Sequence, residues 1–338
     1  MIEKLWYTPR WYHYLLWPLL WPFSCLFKKI SETRRAGYSS GKNATFRAPV
    51  PIVVVGNITA GGNGKTPVVI GMVEWLQTQG WKPGVVSRGY GAKAPYYPYP
   101  VTSDATPAEV GDEPLLIHQR TGVPVVVAPK RSEAVQALLD SDIDVIITDD
   151  GLQHYALERD IECVVIDGQR RFGNAQYLPL GPLREGLSRL NEVDILICNG
   201  GEPRAGEWAM TLKPSHFVNL KTGERVTAEH FTGVCDAVAM AGIGHPPRFF
   251  NTLTTMGISL GKTVSFADHQ SYQFSQIASL VTPEQTLLMT EKDAVKCRQF
   301  SQSNWWYLPV DAEIDIEMYE ILLSRLSQYK EHYGSQTT

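Results

Sequence analysis

The chain has 338 residues, room for two domains, and its 43% hydrophobic and 20% charged residues are the composition of an ordinary folded protein, which excludes disorder and low complexity. A formal charge of -4 argues against a broadly basic nucleic-acid-binding surface, so any basic site must be local. Five cysteines (Cys25, Cys163, Cys198, Cys235, Cys297) form no CxxC pair and no disulfide-scaffold density, which points to a reducing cytosol; no internal repeat of fixed period is visible.

Trp11 to Phe27 reads WYHYLLWPLLWPFSCLF, an apolar and aromatic run broken by Pro18 and Pro22 and followed by Lys28, Lys29, Arg34 and Arg35. A spanning helix needs about 20 mostly apolar residues, whereas this run is short, interrupted and rich in the Trp and Tyr that favour headgroup depth. Interfacial insertion is therefore expected, with the basic flank on the cytoplasmic side and His13 interfacial or packed. The run lacks a small-residue cleavage site, which argues against a signal peptide. The alternative is an aromatic helix packed on the protein's own core.

Strand-like runs follow at Pro51–Val55, Gly84–Ser87, Val123–Ala128, Ile143–Thr148, Ile161–Ile166 and Val193–Cys198, several with helix-like segments between them. Buried apolar strands alternating with helices predict a doubly wound α/β fold with a parallel sheet. HFVNL at His216–Leu220, a turn at Gly223 and Arg225–Thr227 suit a short two-stranded connector. A second, smaller α/β set is expected beyond it, with strands near Ala237–Ala241, Thr286–Met289 and Trp305–Leu308 and a final helix centred on Ile314 to Tyr329.

The chemistry starts at residues 51–66, PIVVVGNITAGGNGKT, a buried strand that runs into a glycine-rich turn and a helix start. Gly61, Gly62, Asn63 and Gly64 form a turn whose backbone N–H groups can face phosphate oxygens; Lys65 neutralises terminal phosphates and the Thr66 hydroxyl can bind Mg²⁺. The first glycine of the usual phosphate-loop spacing falls on Thr59, and Gly61 and Gly62 are expected to compensate. Asp149-Asp150-Gly151 ends a buried run, so two carboxylates reach the same sheet edge, as oxygen ligands for Mg²⁺ or simply as a turn. Asp112 and Glu113 in VGDEPLL open a helix, where acids are either caps or catalysts. Asp268-His269, Lys130-Arg131 and Arg184 complete the candidates, each with an ordinary surface-charge reading beside the functional one.

Taken together, VGNITAGGNGKTP, SRGYG, GDEP, TDDGLQH, LPLGPLRE, AGIGHPPRFF, FADHQSY and MTEKDAVK resemble the tetraacyldisaccharide 4′-kinase family of lipid A biosynthesis, from the aromatic N-terminus to beyond Lys296. The resemblance implies transfer of the ATP γ-phosphate to the 4′-hydroxyl of a tetraacylated, 1-phosphorylated glucosamine disaccharide. It places the enzyme at the cytoplasmic face of the bacterial inner membrane, peripheral or monotopic, with no nucleic acid and no obligate protein partner. By the same likeness Lys65 and Thr66 hold ATP and Mg²⁺, Asp149 and Asp150 form a metal-binding pair, and Asp112 with His269 forms a proton-removing dyad. Glu113, Arg131, Gln153 and Arg184 are similar to further active-site residues of the family. Thr290, Glu291, Lys292 and Asp293 match a family signature for which packing, hinge and ligand contact all stay open.

The expected division is an aromatic membrane-associating segment at 1–40, a P-loop kinase domain at 41–214, a two-stranded linker at 215–230 that allows closure over ATP, and a smaller α/β domain at 231–338. Two rivals remain on the residues alone. One is a membrane-associated P-loop ATPase or GTPase switch with no lipid acceptor. The other is a non-catalytic lipid-binding protein, against which the intact Lys65, Thr66, Asp149 and Asp150 argue.

Overall fold

The computed structural model describes residues 2–8, 10–233 and 236–334, so Cys235 lies outside the described residues. The chain opens with helix α1 (Ile2–Tyr7), a 3-10 turn (Trp11–Leu16) and the long helix α2 (Trp17–Ser39). Pro18 sits in the first turn of α2, where its missing N–H costs nothing, and Pro22 lies inside the helix without ending it. The expected break therefore falls at Pro18, where the 3-10 turn gives way to α2, and not at Pro22.

Then come β1 (Ile52–Gly56), α3 (Lys65–Thr78), β2 (Pro83–Ser87), β3 (Tyr99–Pro100), α4 (Pro107–Val110), α5 (Asp112–Thr121) and β4 (Val125–Val127). They are followed by α6 (Arg131–Leu138), β5 (Val145–Asp149), β6 (Ile161–Asp167), β7 (Ile195–Asn199) and β8 (Glu207–Pro214). In β1, Val53 and Val55 face one core with Val69, Met72 and Ile147, while Ile52 and Val54 face another with Val135, Leu138 and Ile146. A strand apolar on both faces has to be covered on both, which is why helices flank the sheet. β1 pairs in parallel with β5 on one side and β6 on the other, so the strand order turns back at β1. Ligands collect at the carboxyl edge of such a switch point. The doubly wound fold expected from the sequence is present.

The second sheet contains β9 (Phe217–Asn219), β10 (Arg225–Val226), β11 (Ala237–Ala241), β12 (Leu260–Ser265), β13 (Leu287–Thr290) and β14 (Trp305–Leu308), in the order β10-β9-β14-β13-β11-β12. Helices α7 (Pro246–Thr255), α8 (Phe274–Ala278) and α9 (Glu291–Cys297) cover it. The 215–230 stretch is paired, but it is no free-standing linker. β9 adds to β14, and fully buried Phe217 packs on Phe231 at 4.7 Å between ring centroids, so the hairpin is an edge of the second sheet.

The end of the chain departs further from expectation. β15 (Val310–Ile314) pairs antiparallel with β8 as the outer strand of the first sheet, and α10 (Ile316–Gly334) packs on α3. Met318, Leu322 and Leu326, four residues apart and fully buried, join the first core, and Tyr319 stacks on Trp75 at 5.1 Å. Residues 310–334 thus leave the smaller unit and close the larger one. The cause is an open β8 edge together with an apolar helix face that only the first core can bury.

Helix α2 is bound along one side. Ser24 Oγ donates to the Tyr177 carbonyl at 2.6 Å, Ser31 Oγ to the Arg184 carbonyl at 3.0 Å, and Arg35 pairs with Glu192. Leu19, Phe23, Leu26 and Ile30 are more than half exposed and recur at helical spacing on the other side. No described helix is long and apolar enough to cross a membrane.

Candidate active site

The phosphate loop leaves β1 and is tied down by its own polar side chains. Thr59 is buried, and its hydroxyl accepts from Asn57 Nδ2 and Asn63 Nδ2, both at 2.9 Å. Asn57 Oδ1 in turn accepts the Thr59 N–H at 3.0 Å. Gly61 and Gly64 carry the left-handed turns, with φ of +113° and +86°, and Gly64 leads straight into α3. Lys65 and Thr66 therefore stand in the first turn of a helix of fourteen residues, at the positive end of its dipole. Asn199, at the end of β7, closes the loop from behind by donating to the Asn63 carbonyl at 2.9 Å.

Beside the loop β5 delivers Asp149 and Asp150. Lys65 Nζ lies 3.6 Å from Asp150 Oδ1, and Arg184 clasps the same carboxylate at 2.9 and 3.1 Å. Burial would raise the Asp150 pKa, but Lys65 and Arg184 outweigh it and hold the group ionised. Asp149 is different. It is buried with Oδ1 unpartnered, and burial, aided by Glu113, pushes its pKa up to about 7. An orphan carboxylate oxygen is a donor of the kind hard Mg²⁺ takes. Asp150 is already engaged by two cations, so Asp149 is the acid of the pair with an oxygen to give.

Arg131, buried at the start of α6, donates to the Ala128 and Asp149 carbonyls at 3.3 and 3.2 Å. Gln153 Nε2 donates to the Asn57 carbonyl at 3.0 Å and to Glu185 Oε1 at 2.6 Å, and so props the loop rather than facing open space. Burial pushes the His154 pKa down to about 3, and the nearby Arg131, Arg88 and Arg34 add to the shift.

The two units meet over this edge. Gly244 approaches Gly62 so closely that a Cβ there would lie 2.9 Å from the Gly62 nitrogen, so AGIGHPP can reach the phosphate loop only as glycine. A short way along the seam, His269 Nδ1 lies 3.2 Å from Asp112 Oδ1. Asp112 is the first residue of α5 and nearly buried; His269 comes from the loop after β12. Burial would raise the Asp112 carboxyl, but the His269 hydrogen bond and the Lys292 charge bring it down to about 2. The bond to Asp112 raises His269 above its ordinary value, against burial and Lys292. Asp112, Glu113 and His269 offer ligand atoms within 4.8 Å of one another, yet the Lys292 ammonium already stands among the carboxylates, 2.9 Å from Glu113.

The fold brings Asp112, Glu113 and His269 together at the seam and Lys65, Asp150 and Arg184 together beside the phosphate loop, whereas Lys130 is exposed and paired with Glu133. Sequence reasoning passed over Thr59 as hub, Asn199 as loop brace and Glu185 as partner of Gln153. It named Lys292, in MTEKDAVK, but left its role open.

A family model described as Tetraacyldisaccharide-1-P 4'-kinase matches residues 16–327. Among relatives, the tetraacyldisaccharide 4'-kinase of Vibrio campbellii is 57% identical over 336 residues, 99% of each chain. That of Aliivibrio fischeri is 57% identical over 331 residues, covering 98% of this chain and 100% of the relative. Among solved structures, LpxK from Aquifex aeolicus, described as an apo form in complex with ATP, is similar with a TM-score of 0.74 and 26% identity, covering 90% of this chain and 98% of that one. With a family model spanning most of its length and relatives this close end to end, the chain belongs to the tetraacyldisaccharide-1-P 4'-kinase family.

Proposed function

We propose that this ATP-dependent kinase transfers the γ-phosphate of ATP to the 4′-hydroxyl of the tetraacylated, 1-phosphorylated disaccharide of lipid A biosynthesis, with Asp112 and His269 removing the hydroxyl proton. The observation behind the dyad is the 3.2 Å contact that joins these side chains across the seam between the two units. With Nδ1–H donated to Asp112 Oδ1, His269 keeps the lone pair of Nε2 free to take that proton. Asp112 then steadies the imidazolium. The 4′-oxygen forms its bond to the γ-phosphorus as the bond to the β–γ bridging oxygen breaks and ADP departs. Lys65 and the N–H groups of the loop offset the charge on the phosphates, and Arg184 fixes the Asp150 carboxylate beside Lys65. Bound Mg²⁺, held by Asp149 and Thr66, would supply further neutralisation of the β- and γ-phosphate oxygens.

The exposed stripe Leu19, Phe23, Leu26 and Ile30, with Lys28 and Lys29 nearby, supports a peripheral or monotopic seat at the cytoplasmic face of the inner membrane, where such a lipid lies. A hydrolytic switch would share the phosphate loop and would put the same pair to activating water, so dependence of ADP formation on the lipid separates the two readings. Asp112→Asn and His269→Ala should each lower kcat by about 10² or more with ATP affinity nearly intact. The double variant should lose little beyond either single one; a loss equal to the product of the two would mean that the residues act independently and would overturn the dyad.

A further inference from the structure

Lys292, the second residue of α9, has three carboxylates around its ammonium. Nζ donates to Glu113 Oε1 at 2.9 Å and to Asp268 Oδ1 at 3.0 Å, and it lies 3.6 Å from Asp112 Oδ2, the dyad oxygen that accepts no hydrogen bond. Asp112 and Glu113 open α5 on the larger unit, whereas Lys292 and Asp268 belong to the smaller one. Only 16% of the lysine side chain is exposed, and a buried ammonium persists only if well paired. Here it is: burial works to neutralise the group, and Glu113, Asp112 and Asp268 more than reverse it.

The bridge also reaches His269 by a second route. The same Asp268 Oδ1 accepts the His269 backbone N–H at 3.1 Å, at a residue whose φ is +59°. A side chain other than glycine holds that backbone only when its surroundings enforce it. Helix α9 cannot yield easily, because Thr290 caps it through the Asp293 N–H and Asp293 is fully buried under bonds from Tyr272, Gly242 and Lys296. Arg120 with Glu291, 3.0 Å apart, adds a second tie between α5 and α9. The groups facing the imidazole are Asp112 and Glu113 from α5, Lys292 from α9, Asp268 from its own loop and the Tyr90 ring at 5.3 Å, while Lys296 acts on Asp112.

We propose that Lys292 is a positioning residue of the phosphoryl transfer: by bridging Asp112 and Glu113 to Asp268 it sets the two units so that His269 meets Asp112, and its ammonium opposes a second positive charge on the imidazole. This inference rests on the dyad reading above.

The test is the pH profile of kcat and kcat/KM in the full chain for Lys292→Gln, Lys292→Arg and Asp268→Asn, with His269→Ala as reference. His269 must be neutral to accept a proton, so the rate rises with pH through its pKa. Removing the ammonium favours the imidazolium. For Lys292→Gln the acid limb should therefore move up by roughly half a pH unit or more, and kcat should fall about tenfold or more with KM for ATP nearly unchanged. Lys292→Arg should bring the limb back. Asp268→Asn leaves the ammonium paired with Glu113 and so keeps the fold, but it removes the charge that ties Lys292 to the smaller unit, and kcat should fall about fivefold or more. An unmoved limb in a folded Lys292→Gln, or a loss of rate that Lys292→Arg does not restore, overturns the proposal. If Lys292→Gln does not fold, full kcat in Asp268→Asn overturns it instead. The dyad reading fails separately, if His269→Ala keeps the wild-type acid limb.

Discussion

Thr59 shows how a single hydroxyl organises a phosphate loop. It stands where the usual spacing has a glycine, but φ there is not positive, so no glycine is needed, and its oxygen gathers Asn57 and Asn63 instead. The left-handed turns fall two and five residues later, at Gly61 and Gly64, where the sequence does supply glycine. Lys65 and Asp149 can then be tested separately. Lys65→Ala removes a cation from a site whose work is positioning and charge neutralisation, and kcat at saturating ATP should fall by about 10² or more in a folded protein. Asp149→Ala removes the one orphan oxygen of the acidic pair, so the Mg²⁺ concentration needed for half-maximal rate should rise. Steady-state kinetics over a Mg²⁺ series checks both, and an unchanged metal response in Asp149→Ala would remove Mg²⁺ from that carboxylate. The phosphate loop and the two acids were readable because their chemistry fixes residue type and spacing. Lys292 was not, because its meaning depends on three carboxylates that lie 24, 179 and 180 positions away in the chain.

At the scale of elements, α2 is a helix with two unlike sides. Ser24 and Ser31, seven residues apart, stitch it to the 177–184 loop, and that loop holds Arg184 on Asp150 and pairs its Leu183 with Thr59. Leu19, Phe23, Leu26 and Ile30 look outward. Each buried CH₂ contributes roughly 0.8 kcal/mol at a lipid surface, so four large side chains outweigh the entropy of docking. Changing all four to serine should weaken sedimentation with anionic vesicles by about 10² or more and raise the apparent KM for the lipid, with little effect on ATP binding. Undiminished vesicle binding would move the membrane contact elsewhere. The parallel strands were legible as Val- and Ile-rich runs buried on both faces. β12 and β15 were not, because edge strands with one wet face carry polar residues such as Lys262, Asp311 and Glu313, and their partners are set by the sheet they reach.

Over the whole molecule, two sheets share one seam, with Gly244 against Gly62 and, beside it, Lys292 among Asp112, Glu113 and Asp268. The return of β15 and α10 to the first sheet ties the smaller unit at two crossings, before β9 and after β14. Any opening of the seam is therefore a motion about a double connection, which favours a hinge over free separation. On the proposed function, this seam moves a phosphoryl group from ATP to one hydroxyl of an acylated disaccharide. The deciding experiment incubates the purified protein with Mg-ATP and the tetraacyldisaccharide 1-phosphate and locates the product's new phosphate by NMR. ADP formation should depend on the lipid and the phosphate should stand at the 4′ position; ATP hydrolysis at the same rate without lipid, or a phosphate at any other position, would rule out that transfer.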